Sequence, residues 1–388
     1  MKDLEIHFDG GRIRCSSAEA RQRRESLGSG ITTIPCDGRS NLDPILMSFF
    51  EQVICSSSTL VDNSLYNPYR YLILPMALES QGLYHATLAI AANTLKLSDS
   101  KYSLPALEHH SRALGHLRAL LSHDSWGEKE LDEMLGLVLM LCWFDISDNS
   151  RPSWVAHLNG FQDLSRTRQE RPGRSIHSQE LASFFDRYFA FHLVLARTAF
   201  RVNETNYQPM PPPTNLLQSP DTIDPYMGFS HSLLLLINQI AGLAWKPADE
   251  IKSMRATDVL PLRRRLEGLE QVLPSQCEDP NTEWNMMRTA VLPLWPLFLA
   301  GCCAFEEEER VKVMQLFEEL EGIHRFGNVA PAMEVIKMVW RQKDLSVQDE
   351  RKREKSRPIE MSIDYQNEAR FSWEHAMSML GGWKLSLT

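Results

Sequence analysis

Apolar residues recur along this chain at the spacing of helix faces, and runs that alternate on a two-residue period are hard to find. Val, Ile and Thr seldom alternate between turn residues, so strand signals are nearly absent. This restricts the chain to an all-α fold, a large multi-helix bundle or array of antiparallel helices. Residues 131–146 are apolar on nearly every face, which predicts a helix at the centre of that bundle. With 388 residues and 43% hydrophobic content, the chain is long enough for a sizeable core.

The remaining elements follow from periodicity and breakers. Residues 1–40 combine glycines with charges of both signs and hold no helical stripe, so they read as a mobile tail with at most a short helix at 18–26. Asp43-Pro44 opens the folded part, Asp43 as cap and Pro44 at the first helical position. Ile45, Leu46, Phe49, Phe50 and Val53 then give one apolar face. Leu83, Thr87, Ile90, Ala91 and Thr94 give the next, with Ala86, Ala89 and Ala92 small enough to admit a neighbour. A helix from Pro105 places Leu107, Leu114, Leu117, Leu120 and Leu121 on its expected buried side. Residues 178–198 form an aromatic-rich helix. Six prolines in 209–225 forbid a helix there and predict a long loop between helical halves 41–208 and 226–388. Helices are expected at 233–245, 259–272, 284–305, 311–325, 332–340 and 372–380, with 344–358 a charged connector. The apolar runs at 134–144 and 290–305 fall short of the roughly 20 residues that cross a bilayer, and Pro293 and Pro296 interrupt the second, so no membrane span is expected.

Charge and cysteine usage exclude some functions. A formal net charge of −9 argues against a generally basic nucleic-acid binder. Seven cysteines are scattered along the chain without C-x-x-C spacing, which fits buried thiols better than a zinc site or a disulfide framework. No G-x-S-x-G elbow, P-loop or dinucleotide-binding glycine pattern occurs. No cofactor and no metal site is expected.

A few residues stand out chemically. Trp154 and His157 lie within one turn, so both face the preceding apolar helix. The plain expectation packs Trp154 in the core and gives His157 a carbonyl near a helix end; the functional one makes His157 a polar contact in a ligand pocket. Asp145 closes the apolar helix beside Trp143 and Phe144, where a carboxylate is unfavourable unless paired, with Arg151 or Arg166 as expected partners. An Asp145–His157 acid/base couple is the catalytic alternative. In Asn67-Pro68-Tyr69-Arg70, Asn67 bonds its own following backbone, Tyr69 packs on the next helix and Arg70 braces a carboxylate. The ligand-binding candidates are therefore Tyr69, Arg70, Trp143, Asp145, Trp154 and His157. His109, His110, His116 and His123 lack metal-ligand spacing and read as solvated helix residues. Residues 351–357 form a basic run, a solvated connector that also fits a weak nuclear import pattern.

Taken in order, four blocks carry a family resemblance: Asn67-Pro68-Tyr69-Arg70 before an Ala-rich helix; the apolar helix Leu135–Asp145 leading into Trp154-Val155-Ala156-His157-Leu158-Asn159-Gly160; Leu292-Pro293-Leu294 through Ala300-Gly301 before an acidic helix at Glu306–Glu309; and Gly327-Asn328-Val329 leading to Val339-Trp340, with Trp373 and Gly382-Trp383 near the end. Together, over residues 41–388, they resemble the regulatory domain of fungal zinc-cluster transcription factors in its second subtype. The resemblance implies a nuclear transcription regulator whose helical domain answers to partner regulatory proteins or a small-molecule effector, with a homodimer as a further possibility. The family's six N-terminal cysteines are missing: only Cys15 and Cys36 precede residue 50. Direct DNA reading is accordingly doubtful, the reader being supplied by an upstream segment or by a partner. The alternative is a helical domain turned to catalysis on, or carriage of, a small apolar metabolite.

Overall fold

The computed structural model describes residues 41–60, 62, 67–149, 152–170, 176–200, 219–226, 228–246, 250, 256–270, 294–323, 327–355, 371–382 and 384–387. Thirteen helices account for the described residues, and the one β-type contact among them is an isolated bridge between Ile223 and Ser230. The fold is all-α, as the periodicity requires. The expected tail at 1–40, most of the proline-rich loop, residues 284–293 and Trp383 lie outside the described residues.

The first helix, α1 (Asp43–Phe49), runs through a π-helical turn at Phe50–Ile54 into one more α turn at Cys55–Ser57. That wider turn shifts the inward face by one position. Leu46, Phe50 and Ile54 are buried, whereas Ile45 and Val53, expected inside, are 36% and 42% exposed. Asp43 does not cap the helix; it is fully buried against α4, defined below.

A second π-helical turn, Tyr69–Ile73, leads into α2 (Leu74–Glu79). The central layer is α3 (Gln81–Leu95), α4 (Ser103–Leu121) and α5 (Glu128–Ser147). α3 and α4 pack along most of their length. Glycine makes this possible: a Cβ on Gly82 would stand 2.4 Å from the His116 ring, and one on Gly136 would stand 3.2 Å from Leu83. α5 is buried on nearly all sides, from Leu131 to Ser147, as its composition demands.

α4 turns a different face inward from the one its leucines suggest. Ala106, His109, Ala113, Leu117 and Leu120 are buried, while Leu107 and Leu121 are about half exposed. The close contact with α3 selects small side chains, and Ala106 and Ala113 fit where leucines would hold the helices apart.

α6 (Trp154–Gln169) and α7 (Ile176–Ala199) pack on α5, and α8 (His231–Ala244) lies along α7. Beyond α9 (Ala256–Glu267) come α10 (Leu294–Cys303), α11 (Glu307–Ile323), α12 (Val329–Lys355) and α13 (Ser372–Met379). α12 extends well past Trp340, so residues 344–355 are helix rather than connector. The charged run is made of good helix formers (Lys, Glu, Gln, Arg), and propensity carries the helix after its apolar stripe ends.

Tryptophan indoles join distant parts of the chain by donating to carbonyls that helix ends leave without intrahelical partners. At the end of α7, Trp245 donates to the Arg197 carbonyl and Trp373 to the Ala199 carbonyl at 3.1 Å, while Trp295 donates to Thr198 Oγ1 at 2.7 Å. Trp340 donates to the Gly301 carbonyl at the end of α10 at 2.9 Å. Gly327-Asn328 seats the C-terminal segment on the end of α5: a Cβ on Gly327 would lie 1.7 Å from the Ser147 carbonyl oxygen, and Asn328 Nδ2 donates to the Ser386 carbonyl at 3.4 Å.

Candidate functional site

Asp145 sits in the last turn of α5 with its side chain 3% exposed. Two imidazoles from two other helices flank it. His157 of α6 places Nε2 3.2 Å from Oδ2, and His110 of α4 places Nε2 3.6 Å from Oδ1. The His110 ring stacks on Phe144, with centroids 4.2 Å apart. Three helices thus converge on one buried carboxylate. The arginines expected to neutralise it do not: Arg166 pairs with Asp163 on the surface at 3.3 Å, and Arg151 lies outside the described residues. Histidine does so instead because α6 begins five residues after the end of α5's last ion-pairing turn and folds straight back on it. The third residue of the returning helix after Trp154 then points at the end of α5.

Trp154, one turn earlier, is buried to 1% and lies edge-on to Phe200 at 5.8 Å. Its indole N–H donates to the Lys384 carbonyl at 2.7 Å, a tie across 230 residues of sequence, and its own carbonyl accepts from Cys142 Sγ at 3.8 Å. Burial pushes the Cys142 thiol well up, with Asp145 adding to it, so this cysteine stays protonated.

The Asn67-Pro68-Tyr69-Arg70 segment forms a second buried polar unit. Asn67 Oδ1 accepts the Tyr69 N–H at 3.1 Å, and Asn67 Nδ2 donates to the Cys55 carbonyl at 2.8 Å. Arg70 grips Asp62 with two donors, Nε to Oδ1 at 2.7 Å and Nη2 to Oδ2 at 3.0 Å, and reaches Ser56 Oγ at 2.7 Å. Burial pulls the Asp62 carboxyl up, but its bonds from Arg70, Ser56 and Asn67 outweigh that and hold it below the usual range. Tyr69 packs on Trp143 at 5.0 Å and edge-on to Phe184 at 5.4 Å, and burial raises its phenol far above the ordinary value. Tyr69 and Trp143 therefore meet each other. Arg70 faces Asp62, and Asp145 and His157 form a separate pair.

The α4 histidines correct the expectation of a solvated row. His109 is buried, with Nε2 3.6 Å from Asp43 Oδ1 and Nδ1 3.0 Å from Nδ1 of His85. His116 Nε2 lies 2.9 Å from Glu133 Oε1, which also accepts from Ser80. Three histidines of one helix thus each face a carboxylate from a different element. Burial first, and then the neighbouring His109, push the His85 imidazole down to about 4; burial also lowers His109, against the pull of Asp43. The pairs were not legible in sequence, since His110 and Asp145 are 35 positions apart on different helices. A carboxylate ending an apolar helix was the available signal, and it pointed to a cation without saying which. Among the described residues, no group of three or more His, Cys, Asp or Glu is placed to hold a metal ion.

A groove of about 410 Å³ opens between α11 and α12, lined by Arg310, Met314, Glu318, Lys337, Trp340 and Asp344 among others. Arg310 clamps Asp344 with two bonds of 2.9 and 2.8 Å and lies 5.4 Å from the Trp340 ring centroid. None of the residues singled out from sequence lines this groove except the helix-start acid Glu307. The other acids at that helix start act locally: Glu309 accepts the Phe305 and Glu306 N–H groups at 3.0 and 3.3 Å, which lowers its pKa.

An all-helical body with a carboxylate held between imidazoles at its centre defines a scaffold class rather than a reaction. The family is given by comparison: the model of the fungal-specific transcription factor domain matches residues 45–292 and 269–388, and the chain belongs to that family. No match to a zinc-cluster domain accompanies it. No curated protein and no solved structure matched the chain. Among the described residues, no helix is long and apolar enough to cross a membrane.

Proposed function

We propose that this chain is the helical regulatory part of a nuclear transcription regulator, acting through an effector or a partner regulatory protein rather than through a zinc cluster of its own. The observation that carries this reading is the family match running from residue 45 to residue 388. The packing is compatible with it. Buried polar ties such as Trp154 to Lys384 and Trp373 to Ala199 couple distant segments, so a ligand or protein bound at one helix pair would be felt at another. Two measurements test the reading. A fluorescently tagged chain is expected in the nucleus of a fungal host. The same chain fused to an unrelated DNA-reading domain is expected to raise or lower a reporter bearing that domain's site. A fusion that is expressed and folded yet leaves the reporter unchanged, with the tagged chain outside the nucleus, overturns the proposal.

One observation favours a second reading, a helical enzyme or carrier for a small apolar metabolite: Asp145 and His157 stand 3.2 Å apart in a water-poor setting, an arrangement that suits acid/base work. The same geometry also serves as a structural tie between α5 and α6, which is the commoner use of a buried carboxylate. Turnover of a metabolite by the purified chain, lost in Asp145→Ala and His157→Ala variants that remain folded, would replace the regulatory reading.

A further inference from the structure

The outward face of α4 carries leucines that the fold leaves uncovered. Leu104 is 65% exposed, Leu107 45% and Leu121 46%, and Leu114 between them is half-buried. Leu107, Leu114 and Leu121 repeat every seven residues, with Leu104 three before the first, so they form one seam along the helix. Ser111, Gly115 and Ala119 form an adjacent strip, all exposed. A Cβ on Gly115 would meet no atom within 4 Å, so nothing within the fold calls for glycine at this mid-helix position, where alanine would serve the helix better. Two exposed charges flank the seam, Glu108 towards its N-terminal end and Arg118 towards its C-terminal end.

We propose that α4 is the contact of a symmetric homodimer, in which α4 of one copy lies antiparallel on α4 of a second copy. This pairing is self-complementary at each position. Leu104 meets Leu121 of the second copy, and Ser111 meets Leu114 near the two-fold axis, where Gly115 lets the backbones come close. Arg118 lies over Leu107 of the second copy, one residue from its Glu108, and the two-fold repeats that attraction. A parallel pairing would set Glu108 against Glu108 and Arg118 against Arg118, so the charges choose the direction. The helix is roughly 28 Å long at 1.5 Å per residue. A contact of that length buries on the order of 1,000 Å² in total, the lower edge of specific interfaces, so the dimer forms in a concentration-dependent way. The inference does not rest on the regulatory reading; it needs only the face of α4.

Sedimentation equilibrium of the full chain tests it. The mass is expected to rise from one copy to two between ~1 and ~100 µM, the range a contact of this size supports. Leu107→Glu is expected to hold the chain at one copy, with helix content and melting temperature unchanged because the site is on the surface. Glu108→Arg alone and Arg118→Glu alone are each expected to weaken dimerisation about tenfold, and the double exchange to restore it to within about twofold, since attraction is re-formed with signs reversed. A chain that stays single at every concentration, because another segment or a different protein covers this face, overturns the proposal. So does a dimer indifferent to Leu107→Glu, which would be built on another surface. A double exchange as weak as the singles overturns the antiparallel arrangement.

Discussion

Replacing Gly327 by alanine adds one methyl group where the C-terminal segment meets the end of α5. The new Cβ would lie 1.7 Å from the Ser147 carbonyl oxygen, 2.7 Å from its carbonyl carbon and 3.2 Å from the Asn149 nitrogen, whereas ordinary contact begins near 3.4 Å. All three neighbours are backbone, so no side chain is available to rotate away. Relief requires one segment to retreat by well over an ångström. That retreat strains the bend after α5, where Asn149 already holds a φ of 58°, and it disturbs the start of α12, where Val329 and Ala332 are buried. Overpacking a core costs about 1–3 kcal/mol when side chains can yield; with backbone on every side the upper end applies, about 3 kcal/mol or more. Gly160→Ala supplies the internal control. It makes the same chemical change inside α6, where a Cβ meets nothing within 4 Å, and is expected to stabilise by about 0.5–1 kcal/mol through helix propensity. Urea unfolding followed by far-ultraviolet circular dichroism reads both. A Gly327→Ala midpoint within error of the parent, or one that moves in the same direction as Gly160→Ala, refutes the contact between Gly327 and Ser147.

Two further outcomes follow from buried polar groups. Arg168 Nη2 and Asp132 Oδ1 are 2.6 Å apart, with side chains only 5% and 10% exposed; Asp132→Ala should cost about 3–5 kcal/mol by stranding the guanidinium, and the double variant Asp132→Ala/Arg168→Met should recover most of it, both read by urea unfolding. His192 donates Nδ1–H to the Tyr188 carbonyl at 2.8 Å, and burial holds its imidazole down to about 4. Above pH ~6.5 the ring is neutral in both folded and unfolded states. As pH falls from there towards 4 only the unfolded chain takes the proton, so stability should drop by about 1.4 kcal/mol per unit, about 3 kcal/mol in all. A stability-versus-pH curve for His192→Phe is expected to be shallower by that amount across this window, and parallel curves would contradict the assignment.

Periodicity alone settled the helical class of this chain and the central place of residues 131–146, because a segment apolar on every face has nowhere stable to go except inside. It also settled that Asn67 turns back on its own backbone and that Arg70 clasps a carboxylate, since those interactions span few residues. Packing decided the rest. Which side of α4 faces inward was set by α3, whose close approach takes in Ala106 and Ala113 and leaves Leu107 and Leu121 outside. The π-helical turn in α1 exchanged Val53 for Ile54 in the core. The partner of Asp145 became histidine rather than arginine because α4 and α6 bring His110 and His157 to the end of α5. Local sequence dictates the hydrogen bonding and burial that each segment needs; where several segments could meet those needs, only the way the helices stack in three dimensions selects the one that does.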